Sequence, residues 1–516
     1  MGIPSYFSYI VKNHSNIIKP LSHYNICITH LYLDCNSIIY DIIKTLEKNN
    51  KIINNKIIIQ NVISQICIYI KSISPKKLVY IAFDGVAPIA KLEQQRQRRF
   101  KSYYQKQLMN SIHKTNNNIW DTCQITPGTQ FMNELNYETK NYFNNISLFD
   151  VEQIIVSTSN EVGEGEHKIF DYIRNIPFQE ENINVIYGLD ADLIMLCINH
   201  LYIGNPIFLY RETPEFIKSI QEDLEPNLDY LMNISLLSEY ISLNMNQYSI
   251  NHSMNRLNDY IFICFLLGND FMPHFPSVNI RTNGIDKILD AYKNTIGNTS
   301  KIITDGKHIY WDNFFIFIKW LATNEEEFFK EEYKLRNRRE RSFSNITNEW
   351  KKIELLPNYD REIEKYINPE KEDWQLRYYK TLFSTKDISS IVDNYLEGLL
   401  WNTKYYSIGC VDWSWKYKFH YPPLFCDLLK YGKQSVKKIK MNTNTKAVNE
   451  LTQLCYVVPK SSLHIIPNKI KNQLLMKYNH LYPNDCIFLW AFCKYFWESH
   501  VLLPEIDISI LEKIIS

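Results

Sequence analysis

Four short apolar runs rich in β-branched residues stand out in the first 200 positions: ITHLYLD at 28–34, KLVYIAFD at 77–84, VEQIIVST at 151–158 and INVIYGLD at 183–190. The stretches between them, 37–48, 56–71, 90–110 and 164–175, read as helices. Buried strands alternating with helices predict an α/β fold with a mainly parallel, doubly wound central sheet flanked by helices. Open sheets of this kind bind ligands beyond the carboxyl ends of their strands. Three of the runs end in an aspartate, Asp34, Asp84 and Asp190, and the fourth leads within a few residues to a GEGE turn carrying Glu164 and Glu166. If the strands are parallel, all these acids meet at one edge.

Beyond about residue 320 the pattern changes to charged and aromatic helices, with NEEEFFKEEYKLRNRRERS at 324–342 and an aromatic-dense EGLLWNTKYYSIGCVDWSWKYKFHYPP at 397–423. The Lys- and Asn-rich 433–450 reads as an exposed loop with scope for disorder. No internal repeat is present.

Composition narrows the classes. At 516 residues, 45% hydrophobic and 14% aromatic, the chain has ample material for a large globular core. Its 57 basic and 56 acidic residues nearly cancel, so any site for a polyanion is local. Eleven cysteines without a CxxC pair, in a chain with no secretory signal, read as reduced thiols of an intracellular protein rather than a zinc site or a disulfide framework. The longest apolar run, YIFICFLL at 260–267, is far short of the roughly 20 residues that span a bilayer. The opening MGIPSY fails as a myristoylation signal because Tyr6 stands where Ser or Thr is needed and Pro4 intervenes. Abundant Ile, Asn, Lys and Tyr reflect AT-rich codons, as in a large DNA virus or a protist.

GLDADLIML places Asp190 and Asp192 two positions apart where a strand runs out, and LLGNDFMPH supplies Asp270 as an apolar helix ends. With Asp34, Asp84, Glu164 and Glu166 that makes seven acids at the ends of ordered elements. Singly, each reads as a helix cap or a solvated loop end. Together at one edge they would repel unless divalent cations neutralise them. All-oxygen ligands suit Mg²⁺ or Mn²⁺, and two such ions about 4 Å apart clamp the attacking and leaving oxygens of a phosphodiester. Glycines 163 and 165 let the turn bring two carboxylates close to a metal without a clash.

APIAKLEQQRQRRF follows Asp84 directly. On a helix, Lys91, Gln95, Arg98 and Arg99 fall at i, i+4, i+7 and i+8 on one face about 100° wide, with Arg96 outside it. Beside a metal site this stripe reads as a pocket for a terminal phosphate, since guanidinium forks bind phosphate oxygens bidentately.

The segments MGIPSYFSYI, LYLDCNSIIY, IAFDGVAPIAKLEQQRQRRF, TCQITPGTQFM, NEVGEGEHKIFDYIR, GLDADLIML and LLGNDFMPHFPSVNI resemble, in order and wording, the eukaryotic 5′-to-3′ exoribonucleases of the Xrn family. The 397–423 stretch resembles that family's second conserved region, so the likeness runs from residue 1 to about 425. It implies a PIN-like nuclease core at 1–320 and a mainly helical second region at 321–516 packing on it. It further implies two Mg²⁺ ions held by Asp34, Asp84, Glu164, Glu166, Asp190, Asp192 and Asp270, and a 5′-monophosphate pocket of Lys91, Gln95, Arg98 and Arg99. The implied reaction is processive hydrolysis of decapped or cleaved single-stranded RNA to nucleoside 5′-monophosphates. Two departures stand out. Tyr40 replaces the family's base-stacking His, with the aromatic stack retained and base or pH preference changed. The chain also ends at 516, without the long carboxyl-terminal extension that braces the large cytoplasmic members.

Trp401, Trp413 and Trp415 are the candidates for the opposite wall of the stacking site, and the sequence does not choose among them. His167 reads as a satisfied surface histidine or as a partner behind a metal ligand. NIRTNGIDKILDAYKN at 279–294 resembles the backbone-gripping hairpin of flap endonucleases, where Gly284 would admit a phosphate; the plain reading is a turn and a helix start. The functional expectation is a Mg²⁺-dependent 5′-to-3′ exoribonuclease acting in decapped mRNA decay, in the cytoplasm or elsewhere inside a host cell, the nucleus included. The rivals are a flap-type DNA endonuclease and a non-catalytic RNA-binding scaffold.

Overall fold

The four apolar runs form strands of one sheet, whose members are β1 (Ile18–Pro20), β2 (His30–Asp34), β3 (Leu78–Ala82), β4 (Gln153–Ser157), β5 (Asn184–Tyr187), β6 (Ile207–Glu212) and β7 (Asp229–Asn233). Their spatial order is β1-β7-β6-β5-β2-β3-β4. From β6 through β4 every neighbour is parallel, while β7 is antiparallel to both β6 and β1. The computed structural model describes all residues except 1, 2, 4, 50, 52, 114–119, 146–148, 213–223, 226, 227, 247–253, 343–345 and 516. The opening segment weighed for myristoylation therefore lies partly outside the described residues.

The strands read as continuous apolar runs because both faces of the sheet are covered. Along β2, Leu31 and Leu33 enter one core with Val79, Ile81 and Val185. Tyr32, between them, enters the other with Tyr80 and Ile186, as strand alternation requires. The helices that matter below are α1 (Asn36–Lys48), α2 (Asn55–Ile73), α3 (Ile89–His113), α4 (Gln130–Phe143), α5 (Gly165–Asn175), α6 (Ala191–Asn199), α7 (Met254–Cys264), α8 (Gly284–Tyr292), α9 (Trp311–Ser342), α10 (Ile388–Ile408), α11 (Phe425–Ser435) and α12 (Glu450–Val457). The first core is closed by α1, α2 and α4 through Ile39, Ile66 and Leu135. The second runs from Tyr32 through Leu193 and Phe262 to Phe315, Trp401 and Phe425. Position 320, between the two expected regions, lies inside α9, and a single apolar core crosses it.

After β2 the chain steps outward to β3 and β4, then returns to lay β5 on the other side of β2. The crevice at the carboxyl ends of β2 and β5 is the topological switch point, where ligands of such sheets bind. Strands β1, β6 and β7 lie outside the four expected runs; β7 and β1 turn the far edge antiparallel.

Helix α10 begins at Asp387, whose carboxylate accepts from Ser390 N at 3.2 Å, and stops at Gly409 with φ 95°. The carboxyl-terminal segment folds back: Tyr456 of α12, Tyr482 and Leu511 pack on Ala87, Ile89 and Leu92 at the base of α3. The expected loop at 433–450 begins inside α11, and its remainder is tied down by Asp412, which accepts from Asn442 N at 3.0 Å and Thr445 Oγ1 at 3.1 Å. All eleven cysteines are free thiols. Among the described residues no helix is long and apolar enough to cross a membrane.

Candidate active site

Strand β2 delivers Asp34 at its last position, directly opposite Ala82 of β3, two residues before Asp84. Asp84 is fixed from two sides: Asn36 Nδ2 donates to its Oδ2 and the Gly165 amide donates to its Oδ1, both at 2.7 Å. Gly165 has no room for a side chain, because a Cβ there would stand 2.6 Å from Asp34 Oδ1. Gly163, with φ 110°, makes the preceding turn that only glycine adopts readily. Together they set Glu164 at the N-cap of α5 and Glu166 in its first turn, both buried. The buried Lys168 ammonium donates to the Phe83 and Thr158 carbonyls at 2.8 and 2.7 Å, locking this turn to the ends of β3 and β4. Asp190 stands at the N-cap position of α6, its side chain making no capping hydrogen bond, and Asp192 sits in the first turn. Asp270 follows the apolar helix α7 after a 3₁₀ turn, Phe265–Leu267, and Gly268, whose φ is 83°.

The seven acids lie within electrostatic reach of one another. Burial, reinforced by Asp84, Asp190 and Glu164, raises Asp34 well above the usual carboxylate range. Glu166 is raised likewise by burial and by Glu164, Asp192 and Asp34, against the pull of Lys91. Burial and the neighbouring Asp270 push Asp192 up to about 7. Among the described residues, Lys91 places an ammonium inside the cluster, 2.5 Å from Glu164 Oε2 and 2.9 Å from Asp270 Oδ2. Burial alone would lower Lys91; Glu164, Asp270 and Glu166 raise it instead. Among the described residues, Asp34 Oδ1 and Asp192 Oδ1 are buried without a hydrogen-bond partner. Orphaned carboxylate oxygens in an all-oxygen donor set fit hard divalent cations such as Mg²⁺ or Mn²⁺. Ligand atoms of Glu164, Glu166 and His167 also lie within 4.8 Å of one another.

His167 is not the surface histidine expected. Its side chain is only 10% exposed, Nε2 lies 4.0 Å from Glu166 Oε1, and its ring sits 3.8 Å from that of Tyr405. Burial and the Lys91 charge hold its pKa well below the ordinary value, so the ring is neutral. The reason is packing: α10 covers the first turn of α5.

On α3, Gln95, Arg98 and Arg99 lie beyond Lys91 on the same face. Arg98 and Arg99 line a cavity of about 880 Å³ together with Tyr40, Tyr103, Lys106 and Trp120. Arg98 makes no side-chain ion pair or hydrogen bond among the described residues. Arg99 donates one Nη to the Ile125 carbonyl at 3.2 Å, and its other Nη and Gln95 Oε1 are buried without partners among the described residues. Arg96 turns the opposite way, to the Pro504 and Leu481 carbonyls at 2.8 and 3.1 Å, as the helical arc requires. Arg98 also borders a second cavity of about 210 Å³, lined by Lys101, Asp270, Arg281, His420 and Trp497.

The aromatic candidates divide. Tyr40 is 36% exposed beside Arg98. Trp401 is 0% exposed, stacked between Tyr405 and Trp415 at 4.5 and 5.0 Å, with Nε1 donating to the Asp412 carbonyl at 2.8 Å. It is a core residue with no face for a base. Trp415 is nearly as buried, and Trp413 lines a separate cavity with Ile89 and Tyr456. At Gly284 a Cβ would meet the Val278 carbonyl oxygen at 1.9 Å and the amide donates to the Asn279 carbonyl at 2.9 Å, so the glycine serves a close approach of the chain's own backbone. The segment is a 3₁₀ turn, Ile280–Thr282, followed by α8.

A family model described as "XRN 5'-3' exonuclease N-terminus" matches residues 1–212, and one described as "Xrn1 helical domain" matches 251–373 and 357–515. The chain belongs to the Xrn family. Among curated relatives of this Xrn-family chain, the 5'-3' exoribonuclease 2 homolog of Drosophila melanogaster is 28% identical over 84% of the chain and 60% of its own length. The 5'-3' exoribonuclease 2 of Arabidopsis thaliana is 26% identical over 93% of the chain and 61% of its own length. For the 5'-3' exoribonuclease 1 of Saccharomyces cerevisiae the figures are 28%, 90% and 40%. The chain thus spans between two fifths and three fifths of these relatives.

Several residues at this candidate site are not singled out by the sequence patterns above. Trp497 lies in KYFWESH, a segment without periodic signal, and reaches the Asp270 cavity only because the carboxyl-terminal segment folds back onto α3. Asn36 could have been found as the polar residue two places after Asp34. Tyr405 and Tyr406 lie in an aromatic run whose core and site members look alike in one dimension.

Proposed function

We propose that this chain is a 5′-to-3′ exoribonuclease that hydrolyses 5′-monophosphorylated single-stranded RNA to nucleoside 5′-monophosphates. The observation that carries the reading is the gathering of seven carboxylates, from segments 34 to 270, within the electrostatic reach of Arg98, which lines the adjoining cavity. The names of the curated relatives support the same reading. Asp34, Asp84, Glu164, Glu166, Asp190, Asp192 and Asp270 would hold two Mg²⁺ or Mn²⁺ ions. When bound, such ions polarise water for in-line attack and offset charge on the departing 3′ oxygen.

The chain's own groups do the rest. Arg98, the free Nη of Arg99 and Gln95 receive the terminal 5′ phosphate by charge-assisted hydrogen bonds. Lys91, on the same face two turns below Arg98, stands between that pocket and the carboxylates, ready to partner phosphate oxygens at the cluster. Tyr40 stacks on a base from one side of Arg98. Of the tryptophans, Trp497 is the one that borders the cavity shared by Arg98 and Asp270, so we assign the opposite wall to it instead of Trp401, Trp413 or Trp415. Donors that grip a free terminal phosphate would favour decapped or cleaved RNA, whose 5′ phosphate is uncapped, over capped RNA. That selection suits a role in decapped mRNA decay inside the host cell, in cytoplasm or nucleus.

End-labelled RNA bearing a 5′ monophosphate, the same RNA bearing a 5′ triphosphate, and a 5′-flap DNA, each in Mg²⁺ and in EDTA, test the reading. Mononucleotides from the monophosphate RNA alone, abolished by EDTA, are expected. Flap-length oligonucleotides would instead identify a DNA endonuclease, and binding without product would identify a scaffold.

A further inference from the structure

Helix α10 belongs to the second region, yet its last turns face the carboxylates. The Tyr405 hydroxyl donates to Glu164 Oε1 at 2.5 Å, across 241 positions of sequence. The buried Tyr406 hydroxyl lies next to Asp192 without closing a hydrogen bond of ordinary geometry. One turn earlier, Asn402 Oδ1 accepts from Asn269 Nδ2 at 2.7 Å. Asn269 Oδ1 in turn accepts from the Phe271 and Met272 amides at 3.0 and 2.9 Å, so the turn carrying Asp270 is fixed around its own side chain. Positions 402, 405 and 406 stand at i, i+3 and i+4, one face of a helix. That single face bonds to Glu164, borders Asp192 and holds Asn269, the neighbour of Asp270, so it touches three separate acid-bearing segments of the chain.

Each of those carboxylates sits on a turn or a helix end, where local structure leaves its χ angles to be set by neighbours. Glu164 is the clearest case. Lys91 takes Oε2 and Tyr405 takes Oε1, so neither rotation about the carboxylate nor a change of rotamer is free. The Tyr405 ring is itself clamped between Trp401 and His167, at 4.5 and 3.8 Å, which carries the rigidity of the core to the hydroxyl. A ligand oriented by such an outer partner binds metal more tightly, because the ion does not have to order it on arrival.

We propose that α10 is the positioning element of the site: Tyr405, aided by Tyr406 and Asn402, holds Glu164, Asp192 and the Asp270 turn in the arrangement that divalent-ion binding requires. This rests on the reading that the seven acids hold such ions, but not on the RNA reaction, and its test avoids RNA. Calorimetric titration of Mn²⁺ into the full chain gives the reference affinity. In Tyr405→Phe, which keeps the ring and removes only the hydroxyl, Mn²⁺ affinity should fall about 10- to 100-fold, with the circular-dichroism spectrum unchanged. In a Glu164→Gln background the same substitution should have no further effect, since Tyr405 acts through that carboxylate. Tyr406→Phe should weaken Mn²⁺ binding more modestly, and it carries the test should Tyr405→Phe fail to fold. Parent-like affinity in the folded Tyr405→Phe chain, or fully additive losses in the double variant, would overturn the proposal. Absence of Mn²⁺ binding by the parent chain would overturn it together with the metal reading. Mn²⁺ binding that responds as expected in a chain that fails to degrade RNA would leave the positioning role standing and remove only the exoribonuclease.

Discussion

The sheet edge and helix α10 present polar groups to the same point by different means. At the edge, each acid follows an apolar run, so the strand that buries the run also aims the acid: Asp34 ends β2, and Asp190 and Asp192 follow β5. On α10 the apolar and polar partners share one face. Trp401 is core, and Tyr405, one turn on, is buried against core yet bonded to Glu164. The edge supplies charge that repels itself; the helix supplies neutral polar groups, the Tyr405 hydroxyl as donor and Asn402 Oδ1 as acceptor, that fix where the charge points. A metal site needs both, since carboxylates that gather without orientation must be ordered by the ion.

Substitutions on the two sides should separate these roles. The largest effect is expected at the edge. Asp192→Asn should reduce turnover more than about 100-fold, beyond what loss of an outer partner produces, while RNA retained on a filter in EDTA stays at the parent level. Trp401→Ala, on the helix, should lower stability by about 3–5 kcal/mol, as for other large buried aromatics, read as a fall in the denaturant midpoint. Trp497→Ala should leave that midpoint in place and weaken single-stranded RNA binding by about 1–3 kcal/mol, the worth of one aromatic–base stack. A stability loss at Trp497 matching that at Trp401 would erase the distinction between core and site aromatics. Arg98→Ala should erode the preference for 5′-monophosphate over 5′-hydroxyl RNA by about 10- to 100-fold, the worth of a charged hydrogen bond. An unchanged ratio would take the phosphate pocket away from α3.

The smallest expected effect is on pH dependence. Asp192 is raised from 3.8 to about 7 in the folded chain, and Asp34 and Glu166 are raised as well. A raised carboxyl binds its proton more tightly folded than unfolded, so its contribution to stability is complete below about pH 4 and is lost as pH rises through about 7. Without metal, the chain should therefore lose stability across that window, and part of the loss should vanish in Asp192→Asn. With Mg²⁺ present the carboxylates are wanted deprotonated, so the rise in melting temperature on adding Mg²⁺ should grow from pH 5 to pH 8. A rise that shrinks over that range would contradict ion binding at these acids.

Much of this was legible in one dimension. The runs ending at Asp34 and Asp84 could be read because both sheet faces are buried, which leaves unbroken apolar stretches punctuated by the acid. Gly165 could be read because its neighbours are carboxylates, and the space a Cβ would need is taken by Asp34. Strands β6 and β7 are largely buried as well, but their apolar runs, like that of three-residue β1, are short and end in none of the seven acids, so they do not stand out in the sequence. Lys91 was read as part of the phosphate stripe because helical spacing fixes a face but not depth, and only the fold sets its ammonium between Glu164 and Asp270. His167, Trp401 and Trp497 were beyond reach for one reason: exposure at each is decided by what packs over it from far along the chain.

The most direct test is an anomalous difference map from crystals of the chain soaked in Mn²⁺. Two peaks bounded by Asp34, Asp84, Glu164, Glu166, Asp190, Asp192 and Asp270 are expected, within about 4 Å of each other. Peaks elsewhere on the surface, or none at the ends of β2 and β5, would contradict the shared metal site.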